Sequence, residues 1–187
     1  MKTVELFCGT KSFSNVMQAH GHSIFTVDNQ TVFKPHLLTD ILSERNDSFH
    51  SEMLWASPPC QGFSVAVIGR NWNYDGTPKT DSARLAMSLA KKTLSIIEES
   101  KPRWWFIENP RGMLRKMDFM HEFMSRHGGG YAYCHLLPVR RLTTEANRYL
   151  DECEMVDAAT RLRAWRTLSC CSASRFSHRH SGNKRRD

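Results

Sequence analysis

The chain has 187 residues, 40% hydrophobic and 24% charged, with a net charge of +7. That is one domain's length, enough for a real core, and no apolar run approaches the ~20 residues of a membrane-spanning helix. The start carries no signal-peptide pattern, and six cysteines without regular spacing fit a reducing cytosol better than a disulfide scaffold. The basic excess is uneven: residues 131–187 hold 11 Lys and Arg against 6 Asp and Glu, leaving 15 against 13 for the rest.

In chain order, Thr3-Val4-Glu5-Leu6 reads as a strand running through Phe7-Cys8-Gly9 into a turn, with a helix expected over Phe13–His20. Gly21 suits the left-handed stop after that helix. A second strand, Ile24-Phe25-Thr26-Val27, ends in Asp28, about twenty residues past Gly9. A close-approach glycine after one strand and a carboxylate after the next is the arrangement that nucleotide-type cofactors require. Leu38-Thr39-Asp40-Ile41 offers a further carboxylate, for which a plain turn or helix cap is the competing reading.

The apolar run Met53-Leu54-Trp55-Ala56 reads as a short buried strand. Ser57-Pro58-Pro59-Cys60-Gln61-Gly62-Phe63-Ser64 follows it. The prolines fix φ and stop the strand, and Gly62 lets backbone pass where a side chain would obstruct. A thiol at the carboxyl end of a strand stands where open α/β sheets put their chemistry, although a small buried apolar residue is the plain alternative for Cys60. Between Gly69 and Ser82 lies a polar loop with Arg70, Trp72, Tyr74 and Lys79, basic and aromatic enough to touch nucleic acid or simply to be solvated.

Asp81 and Ser82 offer caps for a long helix carrying Ala86, Leu89, Ala90, Thr93 and Ile97 on one face. Lys101-Pro102 ends it. Arg103-Trp104-Trp105-Phe106-Ile107 is the next buried strand, and it delivers Glu108 to the same sheet edge as Cys60. A last helix is expected from Gly112 to Gly128, with Met113, Met117, Met120 and Met124 as a core stripe. The alternation predicts an α/β fold with a doubly wound, mostly parallel sheet over residues 1–130.

Glu5-Leu6-Phe7-Cys8-Gly9, Pro58-Pro59-Cys60-Gln61 and Glu108-Asn109, in this order, resemble the cytosine carbon-5 DNA methyltransferases, particularly the short phage or bacterial members associated with restriction-modification. The resemblance covers residues 1 to about 130. It implies a Rossmann-like fold, S-adenosylmethionine as methyl donor and double-stranded DNA with a flipped cytosine as substrate. It implies Cys60 and Glu108 as catalytic residues. Phe7, Gly9, Asp28, Asp40 and Pro58 would bind the cofactor, with Asp28 on the ribose and Asp40 near adenine. A monomeric, cytoplasmic protein without a metal ion is expected. The first loop holds less glycine than the family pattern, since Lys11 and Ser12 stand after Gly9-Thr10.

The chemistry suits these residue types. Carbon 5 of cytosine is a poor nucleophile until a thiolate adds to carbon 6, and a cysteine both attacks strongly and leaves readily. Addition puts negative charge into the ring, so a carboxylic acid is wanted at ring nitrogen 3, which is the role for Glu108. A helix-start carboxylate is the other reading of Glu108. Two alternatives stand beside DNA methylation: a cofactor-binding fragment without turnover, and an RNA cytosine methyltransferase.

Residues 131–187 form a basic, irregular stretch without a strand–helix rhythm, expected to be disordered or out of frame. Cys170, Cys171, His178 and His180 lack zinc-ligand spacing. With permitted codons, residues 135–152 read one base later as TYCQYGDSQPKQTDIWT, which is similar to the region after the last helix in phage-type members of the family. In the same register residues 154–159 give KWWTPR and residues 166–171 give APCHA. A frameshift would leave the sheet short of its last strands and without the family's further catalytic arginine. The nucleotide sequence tests this: the second frame across codons 135–187 is expected to encode those three strings, and a stop codon there refutes the frameshift.

Overall fold

The computed structural model describes residues 1–110, 112–127 and 130–132. The tail from residue 133 lies outside the described residues, with its cysteines, histidines and frameshift reading.

Six strands form one sheet: β1 (Lys2–Leu6), β2 (Ser23–Asp28), β3 (Leu37–Leu38), β4 (Met53–Ala56), β5 (Trp104–Glu108) and β6 (Gly130–Ala132). Their order is β3-β2-β1-β4-β5-β6, and every pairing is parallel. This is the expected doubly wound α/β sheet. β3 and β6 were not expected as strands, being two and three residues long with no alternation to reveal them. β6 also runs past the domain boundary expected at residue 130.

Among the described residues four helices connect the strands: α1 (Ser12–Ala19), α2 (Ile68–Asn71), α3 (Asp81–Ser100) and α4 (Asp118–His127). Gly21 stops α1 with φ +77°, as expected. α3 starts one residue earlier than its anticipated caps: the Thr80 hydroxyl, not Asp81 or Ser82, accepts from the Ala83 amide at 3.2 Å. Asp81 instead pairs with Arg84 at 2.7 Å on the surface. α3 ends at Lys101, which takes the left-handed conformation at φ +47° just before Pro102. The last helix begins at Asp118 and not at Gly112, because Met113–Met117 close into a separate 3₁₀ turn. Met113, Met117 and Met120 are buried nevertheless, and Met124 packs against them, so the methionine stripe is core.

Strand residues alternate between two apolar layers, as a sheet covered on both faces demands. On one face Leu54, Ala56 and Ile107 lie under α3 and α4, and Trp105 meets Phe123 edge-on at 5.0 Å. On the other, Phe13 and Met17 of α1 cover Met53 and Phe106. Phe13 stacks on Trp55 at 4.4 Å there.

The small residues Ala83, Ala86 and Ala90 on the buried face of α3 let this helix approach the loop after β4. A Cβ on Gly62 would stand 2.4 Å from the Ala86 Cβ and 3.1 Å from the Ser82 carbonyl oxygen. Gly62→Ala should therefore destabilise the protein by about 1–3 kcal/mol through overpacking. Gly69, with nothing within 4 Å of its Cβ position, should tolerate alanine with a change within about 0.5 kcal/mol. Urea unfolding of both variants measures the difference.

Candidate active site

In open α/β sheets the ligand crevice opens where strand order reverses, outside the carboxyl ends of the strands. Here that point lies between β1 and β4. Leu6 pairs with Val27 on one side and with Ala56 on the other, so the loops that follow β1, β2 and β4 leave the sheet at one level. Backbone bonds tie them there: Cys8 donates to Val27 at 3.1 Å and Ser57 donates to Leu6 at 3.2 Å.

The first loop is backbone-strained. Phe7, Gly9 and Lys11 have φ of +58°, +47° and +59°. For Phe7 and Lys11 the left-handed region costs roughly 1–2 kcal/mol each. Asp28, buried at the end of β2, holds the loop: its carboxylate accepts from the Gly9 amide at 2.9 Å and from the Gln30 amide at 2.9 Å. The Lys11 ammonium donates to the Lys34 carbonyl, so its side chain reaches the loop after β2. Asp40 is exposed and caps a 3₁₀ turn, accepting from the Leu42 amide at 3.0 Å.

Glu5 is the residue sequence reasoning missed in this half of the site. It is 3% exposed, and one carboxylate oxygen takes both the Ser14 amide, at 3.1 Å, and the Ser14 hydroxyl. α1 has no acidic residue in its first turn and no side-chain cap of its own. Glu5 supplies that anion from the neighbouring strand, satisfying an otherwise orphaned helix-start amide. The available signal was a carboxylate between Val4 and Leu6 in an otherwise apolar strand.

Cys8 lies among these carboxylates. Burial, then the charges of Glu5 and Asp28, push its thiol up to about 11. It is a protonated packing residue at neutral pH, not a nucleophile.

Cys60 is different in placement. It is half-buried and opens a 3₁₀ turn, Cys60–Gly62, four residues beyond β4. Glu108 is the last residue of β5, half-buried, on the strand adjacent to β4. Glu108 thus ends the strand adjacent to β4, while Cys60 stands in the turn that follows β4, with Pro58 buried between β4 and Cys60.

Residues after Glu108 fasten the two loops together. Asn109 is fully buried, and its side-chain amide donates to the Pro58 carbonyl at 2.8 Å. Ser64 and Gly112 form an antiparallel bridge, and the Met113 amide donates to the Phe63 carbonyl at 2.8 Å. A Cβ on Gly112 would come within 2.1 Å of that carbonyl oxygen, so only glycine permits the approach. Asn109 was visible in the sequence only as a neighbour of Glu108; its role depends on a contact 51 residues away.

Residues 1–125 match C-5 cytosine-specific DNA methylases. The chain belongs to that family. A relative from Frog virus 3 (isolate Goorha), described as a probable DNA (cytosine-5)-methyltransferase, is 30% identical over 120 residues. The match takes in 59% of this chain and 54% of that protein, so the chain spans about half the length of this relative. The family match ends seven residues short of the end of β6 and contains the crevice, Cys60 and Glu108.

The elevated Cys8 thiol gives this family member a pH signature. Its folded value, about 11, exceeds the ordinary 9.0 of a cysteine thiol. An acid held protonated by the fold contributes stability that is full below pH 9 and is lost as pH rises through 11. Urea midpoints measured from pH 8 to 11 should therefore fall more steeply for the unsubstituted chain than for Cys8→Ala. Parallel curves would contradict the assigned burial.

Proposed function

We propose that this chain carries out, or forms the catalytic half of, cytosine carbon-5 methylation of DNA through a covalent Cys60 intermediate. The observation that carries the reading is the placement of Cys60 in the turn after β4 and of Glu108 at the end of adjacent β5, with the two loops joined by the Asn109–Pro58 bond. Cys60 adds to carbon 6 of the cytosine ring, forming a carbon–sulfur bond and moving an electron pair toward nitrogen 3. Glu108 donates a proton at nitrogen 3, which leaves carbon 5 enamine-like and nucleophilic. After methylation the carbon 5 proton passes to solvent, the nitrogen 3 proton returns to the Glu108 carboxylate, and the Cys60 thiolate departs as the carbon 5–carbon 6 double bond re-forms. A cytosine within a duplex is out of reach of a crevice at a sheet edge, so the base leaves the stack.

S-adenosylmethionine, when bound, supplies an electrophilic methyl group on its sulfonium. The first half of the crevice fits such a molecule. Gly9 has open space in front of it, with nothing within 4 Å of its Cβ position. The Asp28 carboxylate, though engaged by two amides, keeps lone pairs for ribose hydroxyls. Asp28 would hold the ribose, with Phe7 and Gly9 near the amino-acid end, Pro58 along the crevice and Asp40 toward the adenine. The positive φ values at Phe7 and Lys11 are strain of the kind that collects at ligand sites.

Cys60→Ser should abolish methyl transfer and leave S-adenosylmethionine binding, followed by calorimetry, largely intact. Asp28→Ala should weaken that binding, and Glu108→Gln should slow transfer roughly 100-fold or more. Random-sequence duplexes containing 5-fluorocytosine, incubated with S-adenosylmethionine, should trap the unsubstituted chain covalently. Full turnover by Cys60→Ser would end the covalent mechanism. Cofactor binding without any adduct would leave a binding fragment, and an adduct on RNA alone would move the substrate class.

A further inference from the structure

Negative charge gathers beneath the first loop of the crevice. Glu5 and Asp28 are both buried there. Each carboxylate is engaged by backbone amides, Glu5 by Ser14, and Asp28 by Gly9 and Gln30. Both charges are felt at Cys8, on the loop itself, where they disfavour any further negative charge. Lys11 acts on the same point with the opposite sign. Among the described residues it is the cation that offsets the two carboxylates at this position.

The backbone of Lys11 is as unusual as its charge. Its φ of +59° lies in the left-handed region, where glycine is at ease and lysine is strained. This is the loop that holds less glycine than the family pattern, and strained residues of this kind collect at ligand clamps. The side chain leaves the loop, and its ammonium donates to the Lys34 carbonyl in the segment that follows Asp28. Lys34 is itself left-handed, at φ +47°, where it ends the 3₁₀ turn Thr31–Phe33. The Lys11–Lys34 bond is exposed, so water takes its place at a small net cost. An ammonium using one donor on a carbonyl also keeps others for an anion.

A ligand with an anionic end meets this arrangement first. Under the cofactor reading, the amino-acid end of S-adenosylmethionine lies near Phe7 and Gly9, and it carries a carboxylate. Gly9 leaves room for that group, with nothing within 4 Å of its Cβ position. Seating an anion above two carboxylates is unfavourable unless a cation stands beside it. The Thr10 and Ser12 hydroxyls, on either side of Lys11, are bonded to each other at 2.9 Å and bring no charge. A charge-assisted bond from the Lys11 ammonium supplies what the loop lacks.

We propose that Lys11 leaves the Lys34 carbonyl to bind the carboxylate of the methyl donor, and so selects a cofactor whose amino-acid end is intact. This rests on the S-adenosylmethionine reading above and names the residue that discriminates within that site. The test uses the full 187-residue chain and two ligands, S-adenosylmethionine and its decarboxylated form, which keeps the adenosine, sulfonium and amine. Calorimetry is expected to show about tenfold tighter binding of S-adenosylmethionine by the unsubstituted chain. Lys11→Met should bind the two ligands about equally, having lost affinity for S-adenosylmethionine alone. Lys11→Gly removes the ammonium and the left-handed strain together, so it repeats the comparison in a chain freed of that strain. It should show the same loss of preference. A preference kept by both variants, or absent from the unsubstituted chain, overturns the proposal while leaving the cofactor reading in place. Equal weakening of both ligands in Lys11→Gly also overturns it, because the lysine then only shapes the loop. Failure of the unsubstituted chain to bind either ligand removes the cofactor reading and the proposal with it.

Discussion

One buried hydrogen bond, from the Asn109 side chain to the Pro58 carbonyl, ties the loop that carries Cys60 to the strand end that carries Glu108. The loops after β4 and β5 leave neighbouring strands side by side, but nothing in either loop alone fixes its height above the sheet. A fully buried amide with one good partner is worth far more in place than absent, since its removal leaves the Pro58 carbonyl to find another donor, at a cost of about 1–3 kcal/mol. Asn109 Oδ1 is itself buried without a partner among the described residues. The fold thus tolerates an imperfectly satisfied amide in order to keep its N–H₂ on Pro58.

Close approaches made possible by missing side chains complete this junction. Gly112 brings its backbone against Phe63, and Gly62 brings the Cys60 turn against α3. The Gly62 carbonyl then receives Trp72 and Asn71. A chain of contacts therefore runs from β5 through Asn109 to the Cys60 turn, and on to the segment that carries Asn71 and the buried Trp72. Each link is backbone-to-side-chain or backbone-to-backbone, which positions the turn more firmly than apolar packing alone would.

The two described thiols stand in contrasting surroundings. Cys8 lies beneath the first loop, where burial and two carboxylates keep it protonated. Cys60 is half-buried and opens the 3₁₀ turn four residues beyond β4. Glu5 and Asp28, which disfavour the Cys8 thiolate, are themselves employed in fastening α1 and the Gly9 loop.

The strands β1, β2, β4 and β5, the buried face of α3 and the methionine stripe were legible in the sequence, because apolar periodicity is a local property that every window of the chain carries. The order of Gly9, Asp28, Cys60 and Glu108 along the chain, each just past a strand, likewise pointed to one sheet edge. The two-residue β3 and three-residue β6 were not legible, being too short to show a period. Nor was the burial of Trp72, whose polar neighbours made its segment look like an ordinary surface loop. Glu5 as the anchor of α1, Asn109 as the clasp on Pro58 and Gly112 against Phe63 were decided only in three dimensions. Each is a contact between segments distant in sequence, and a hydrogen bond or a missing Cβ takes its meaning from what stands opposite it.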